Sequence, residues 1–162
     1  MVGLSIIAAL LFVGMLIAGI CKPGNIPEMV SSFYYLLGKK GWVFQVVMMA
    51  VGMLMMMCLL DCGKGVQCLA FLACGGLMFV GAAPRFMGED RGVHKAAAVI
   101  SAMAGIGWCL SANFGMTIAA VIVYTIHIMY IKELRKYALL IAELTAIGWT
   151  FLTYWGLSLG II

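Results

Sequence analysis

Six apolar blocks, at residues 2–20, 42–60, 66–84, 94–112, 116–131 and 137–160, fill most of this 162-residue chain and leave only short polar gaps between them. A helix needs roughly 17–25 apolar residues to cross hydrocarbon, and most of the blocks reach that length. None alternates with a period of two, which argues against a barrel. In lipid only helices then satisfy every backbone donor and acceptor internally. The expected fold is all-α: a polytopic membrane protein whose six transmembrane helices form one bundle over 1–162. Composition agrees, with 65% apolar residues against about 45–50% in soluble domains.

The charges orient that bundle. Nine of the ten Lys and Arg residues fall in alternate gaps, at Lys22, Lys39, Lys40, Arg85, Arg91, Lys95, Lys132, Arg135 and Lys136, and only Lys64 lies in the other set. Basic loops resist translocation, so these gaps are expected in the cytoplasm and both termini outside, in a cell membrane and most simply a bacterial inner membrane. The net charge of +4 then reads as topology and attraction to anionic headgroups, not as nucleic-acid binding. The first block lacks a basic n-region and exceeds the usual h-region of about 7–15 residues, so it reads as a retained helix.

Of the six cysteines, Cys58, Cys68, Cys74 and Cys109 lie inside or at the ends of blocks, where cysteine behaves as a small hydrophobe. Cys62 sits in the short turn 61–65. A bridge from it to Cys68 or Cys109 is conceivable in an oxidising compartment, but spacing does not establish one.

The one long connection, 21–41, opens with Pro23, Gly24 and Asn25 and continues as IPEMVSSFYYLLG. A short helix is expected here, capped by Asn25 with Glu28 in capping-box position, started by Pro27 and ended by Gly38. Phe33, Tyr34, Tyr35 and Leu36 beside Lys39 and Lys40 suit an interfacial anchor, with a lid over a site as the alternative. The methionines of the second block (Met48, Met49, Met53, Met55, Met56 and Met57) do not converge on one face, so packing is favoured over Cu(I) passage. Ala97, Ser101 and Gly105 form a small-residue stripe, and Gly14 with Ala18 offers another.

Glu143 is the one carboxylate well inside a block, which makes it a site candidate by default. His127 lies five residues before Lys132, and Glu143 seven after Lys136. Both should sit roughly 7–11 Å in from the same turn. If they meet, their protonation is coupled. The plain alternative is a structural hydrogen bond between the last two helices. Glu143, Thr150 and Tyr154 fall on one helical face, within about 20°. The gap PRFMGEDRGVHK gathers Arg85, Glu89, Asp90, Arg91, His94 and Lys95. It reads first as a solvated loop, then as a headgroup or phosphate contact, and last as a metal site, for which two histidines are few.

The order of Ser31, Ser32, Phe33, Tyr34 and Tyr35, then a block ending in Asp61 and Gly63, then GLMFVGAAP with Pro84, then His94 before an alanine-rich block, resembles a group of uncharacterised bacterial membrane proteins. These are domain-of-unknown-function family 998, related to the Frag/DRAM/Sfk-like six-helix proteins. The resemblance spans about 28–115. MVSSFYY departs from the family's serine-aromatic motif, and Ala83-Pro84 replaces a Phe-Pro pair. It implies a six-helix fold and the site candidates Ser32, Tyr34, Tyr35 and His94, and it implies no activity. A fainter echo, through Glu28 and Ser32, is of ceramidase-like membrane hydrolases.

These residues together favour a non-enzymatic lipid- or small-ligand-binding or membrane-assembly component. Its binding candidates are Glu143, His127, His94, Asp90, Arg91, Glu89, Tyr34, Tyr35, Ser32 and Glu28, near the cytoplasmic leaflet. No catalytic set, metal or cofactor is called for. Membrane lipids are the expected partners, with a second copy or another membrane protein as alternatives. A proton-linked transporter or channel using Glu143 and His127 is the competing expectation, and a membrane-embedded hydrolase the third.

Overall fold

The computed structural model describes residues 1–21, 26–82, 91–130 and 136–162, with Arg91 described by its backbone alone. It is all-α: α1 (Val2–Ile20), α2 (Phe33–Leu36), α3 (Gly41–Asp61), α4 (Gln67–Ala82), α5 (Arg91–Ala112), α6 (Phe114–Tyr130) and α7 (Ala138–Ser158), with no strand among the described residues. Four helices are long and apolar enough to cross a membrane, over Val2–Ile20, Gly38–Asp61, Gly92–Ala112 and Ala138–Ser158. α4 and α6 are apolar but shorter. α5 starts three residues ahead of its apolar block, because hydropathy marks where a helix becomes lipophilic and not where its hydrogen bonding begins.

The interior is mostly apolar, and the exterior is apolar as well. Ser5, Ser31, His94, Thr117 and Thr153 are buried, while Leu10, Phe79, Met103 and Met129 are each more than 60% exposed. So broad an apolar exterior is covered by lipid in a multi-pass membrane protein.

Successive long helices alternate in direction. One end of the bundle therefore gathers the 26–40 connection with exposed Lys39, Lys40, Lys95 and Lys136, and is called the basic end below. The other, the turn end, holds the 62–66 turn, Lys64 and both chain termini. α4 packs between α3 and α5, α1 lies on α3, α7 lies on α5 and more lightly on α1, and α6 leans on α5 and α7.

Small residues set the closest approaches. On α5, Ser101 donates to the Ala73 carbonyl of α4 at 2.7 Å, and a Cβ on Gly76 would lie 2.8 Å from the Ser101 Cβ. The Ala97–Ser101–Gly105 stripe is thus largely the α4 contact. The expected Gly14–Ala18 approach is not made: both are exposed, and nothing lies within 4 Å of a Cβ placed on Gly14. α1 is approached at Gly19 instead, where a Cβ would meet the Phe33 ring at Cε1, 2.6 Å away.

The connection differs from its expected form. Ordered helix begins at a single 3-10 turn, Val30–Ser32, followed by α2 and a second 3-10 turn, Gly38–Lys40. Glu28 precedes the first of these turns and is exposed, and no side chain caps that turn from Met29. Asn25, the expected cap, lies outside the described residues. Gly38 does interrupt the helix, at φ +56°. The segment also packs against the bundle. Pro27, Val30, Ser31, Phe33 and Leu37 are buried, so the chain is drawn into the bundle end by its apolar side chains and leaves Tyr35 outside. All six cysteines are free, Cys62 included.

Candidate functional site

α7 divides its faces between two neighbours. Ala142, Thr145, Ala146 and Trp149 border a nearly all-apolar cavity of about 150 Å³ shared with α5 and α6. Glu143, Ile147, Thr150 and Phe151 border a second cavity, of about 80 Å³, between α3, α4, α5 and α7. A step of one residue turns a helix by about 100°, so Ala142 and Glu143 cannot serve the same side. Tyr154, next on the Glu143–Thr150 stripe, is buried at 2% exposure.

The smaller cavity is where the polar residues collect. Val30 and Ser31 of the connection close its basic end, His94 and Ser101 come from α5, and Met48, Val51 and Met55 from α3. Glu143 Oε2 accepts a hydrogen bond from the Val30 backbone N–H at 2.6 Å, across 113 residues of sequence. That N–H opens the 3-10 turn, so it has no partner within the turn, and a carboxylate is a strong acceptor for such a group. Glu143 thus caps from α7 the turn that no local side chain caps. Thr150 and Ser101 spend their hydroxyl protons on the Ala146 and Ala73 carbonyls.

His94 is different. It is 7% exposed and lines the same cavity, yet its Nδ1 is buried with no hydrogen-bond partner among the described residues. Buried polar atoms are rarely left so, because an unmade bond costs about 1–3 kcal/mol. At about 80 Å³ the cavity exceeds several-fold the roughly 10–15 Å³ that a single water centre requires.

Of the expected site residues, the structure brings Glu143 and His94 to one cavity. It does not bring His127 there. That ring is exposed on α6 with Nδ1 2.9 Å from the Val123 carbonyl, and no hydrogen bond joins it to Glu143 among the described residues. The depth argument fixed how far each residue sits from the turn but not its azimuth, and α6 meets the Ala142 face of α7. Ser32 is half-buried beside the site, whereas its neighbour Ser31 lines it. Tyr34 packs edge-on against Phe44 and Tyr35, and Tyr35 is 58% exposed. Glu28 is exposed and away from the cavity lining. Glu89 and Asp90 lie outside the described residues, as does the Arg91 side chain. Sequence reasoning missed the Val30 N–H, a backbone group that no residue type announces.

The chain matches no protein-family profile, no curated protein and no solved structure.

Proposed function

We propose that this protein is a membrane-embedded binding protein for a small, mostly apolar ligand held in the cavity between α3, α4, α5 and α7. The observation that carries the proposal is an otherwise apolar cavity lined by both Glu143 and the buried His94. A cavity needed only for packing would have no use for two ionisable side chains in its lining. Six crossings with the basic end in the cytoplasm fit this reading: α4 and α6, at 16 and 17 residues, are about 24–26 Å long, and the 28–115 stretch resembles six-helix proteins.

The chain's two histidines give a direct test, because His127 on the exposed face serves as an internal control. With ring-15N histidine in lipid nanodiscs, 1-hexanol should shift the His94 signals saturably and leave His127 unmoved, and Ala98→Leu, which fills the cavity wall, should abolish the response. Equal, unsaturable drift of both rings for every small amphiphile tried would remove the proposal. Orientation is tested by single-cysteine variants. An impermeant maleimide should label Cys62 in intact cells and Cys21 only after permeabilisation, and the reverse pattern would invert the topology.

A further inference from the structure

We infer that the turn Val30–Ser32 gates the cavity between α3, α4, α5 and α7, with the Glu143 carboxylate as its latch. The inference rests on the binding role proposed above and adds the route by which an occupant enters. Val30 and Ser31 are buried and are the described residues of the connection that border the cavity. The connection is fastened unevenly on either side of them. From Phe33 onward it is packed: the Phe33 ring fills the notch at Gly19, Tyr34 meets Phe44 edge-on, and a Cβ on Gly41 would lie 2.9 Å from the Tyr34 carbonyl oxygen. Before Val30 it is irregular, with residues 26–29 outside any helix, Pro27 alone of the four buried, and Ile26 and Glu28 exposed.

The turn lies between these halves and reaches α7 through the 2.6 Å bond from the Val30 N–H to Glu143 Oε2. Breaking that bond frees the turn from α7 while Phe33 and Tyr34 keep α2 seated on α1 and α3, so the opening is local. A hydrogen bond to a charged group shifts an opening equilibrium by roughly 10- to 100-fold. That holds the turn shut most of the time, and it is small beside the packing of the whole bundle. Entry then runs from the headgroup region at the basic end, not sideways between the long helices. The sequence allows the latch to be removed from the turn's own side. Val30 opens a 3-10 turn, and Met29 before it is extended, at φ −152° and ψ 158°. Both suit proline at position 30, whose ring sets φ near about −65° and whose nitrogen carries no hydrogen. Val30→Pro thus deletes the donor without recasting the backbone.

Two buried, free cysteines report on the gate: Cys74 borders the gated cavity, and Cys109 borders the separate cavity against α6. The full chain in nanodiscs is treated with methyl methanethiosulfonate, and peptide mass spectrometry follows the labelling of each cysteine. Val30→Pro should label Cys74 roughly tenfold faster than wild type and leave Cys109 unchanged. Glu143→Gln keeps a neutral acceptor about half as strong, so its gain should be smaller, roughly threefold. Equal Cys74 rates in wild type and both variants overturn the gate. An equal rise at Cys74 and Cys109 overturns it too, because the whole bundle has then loosened. Should Val30→Pro fail to fold, Glu143→Leu deletes the latch from the other side and carries the same tenfold expectation. The His94 response to 1-hexanol, recorded in parallel on the wild type, separates the two readings. Saturable hexanol binding with ungated Cys74 removes the gate and keeps the binding role, whereas gated Cys74 with no hexanol response removes the binding role and keeps the gate as an access path.

Discussion

At the turn end of the bundle, several polar side chains fasten one helix or turn to another. Trp108 Nε1 donates to the Lys64 carbonyl at 3.0 Å, Ser111 Oγ accepts from the Val66 N–H at 2.9 Å, and Trp155 Nε1 donates to Ser5 Oγ at 2.8 Å, which in turn donates to the Val2 carbonyl. Gly65, at φ +67°, lets the turn sit on Trp108 and Ser111, where a Cβ would come within 3.1 Å of both. At the basic end Glu143 holds the connection through one oxygen, and it shares with His94, whose Nδ1 has no partner among the described residues, the lining of a cavity. Gln67 Oε1 and Thr153 Oγ1, both toward the turn end, are also without partners among the described residues, but neither residue borders that cavity. The contrast is between polar residues that fasten helices and polar residues that line a cavity. In a membrane, where apolar burial between helices drives little, hydrogen bonds and close packing are the fastenings available.

Four substitutions would break or sharpen this contrast. Trp108→Ala should cost most, about 3–5 kcal/mol, because it empties the site of a fully buried ring and removes one of the two donors, with Gln67 Nε2, to the Lys64 carbonyl. Equilibrium unfolding in mixed micelles measures it, and a loss below 1 kcal/mol would mean that the turn end is not sewn as described. Gly19→Leu comes next, at about 1–3 kcal/mol from overpacking against Phe33. It should also speed proteolysis within 26–40 without affecting the 62–66 turn. Cleavage appearing equally at both ends would contradict the local docking of the connection.

Trp155→Phe keeps most of the ring volume and removes the donor to Ser5, so it should cost about 0.6–1.7 kcal/mol, the range for hydrogen bonds between membrane helices. His94→Leu is the smallest and the most telling. Removing a buried nitrogen that has no partner among the described residues should leave thermal stability within about 0.5 kcal/mol of wild type, or raise it. If it destabilises as much as Trp155→Phe, His94 is a fastening after all, and the two ends are alike.

Much of this organisation is legible in the residues. The apolar blocks predict all the long helices within a few positions, the alternating basic gaps predict which helix ends lie together, and Ala97, Ser101 and Gly105 mark the α4–α5 contact. Glu143 is conspicuous as a polar residue the membrane makes costly, whereas His94 stands out only as the histidine closing a charged gap. The pairing of Glu143 with His127 fails for a geometric reason. Equal depth along two antiparallel helices leaves the azimuth free, and Trp149 with Ala142 turns the other face of α7 toward α6. The connection is legible only in part. Its aromatic and basic composition suits an interface, and what it does not show is that Phe33 finds in Gly19 a notch that lets it pack inward.

By itself the sequence determined the helical membrane class, the approximate extents of the long helices and the segregation of charge to one end, since each follows from local composition read against hydrocarbon. Only the tertiary structure decided that Glu143 meets a backbone N–H 113 residues away, that His94 shares its cavity, and that His127 stands outside. Those outcomes depend on how helices rotate about their own axes when they pack. That rotation is set by contacts summed over the whole bundle, not by any one segment.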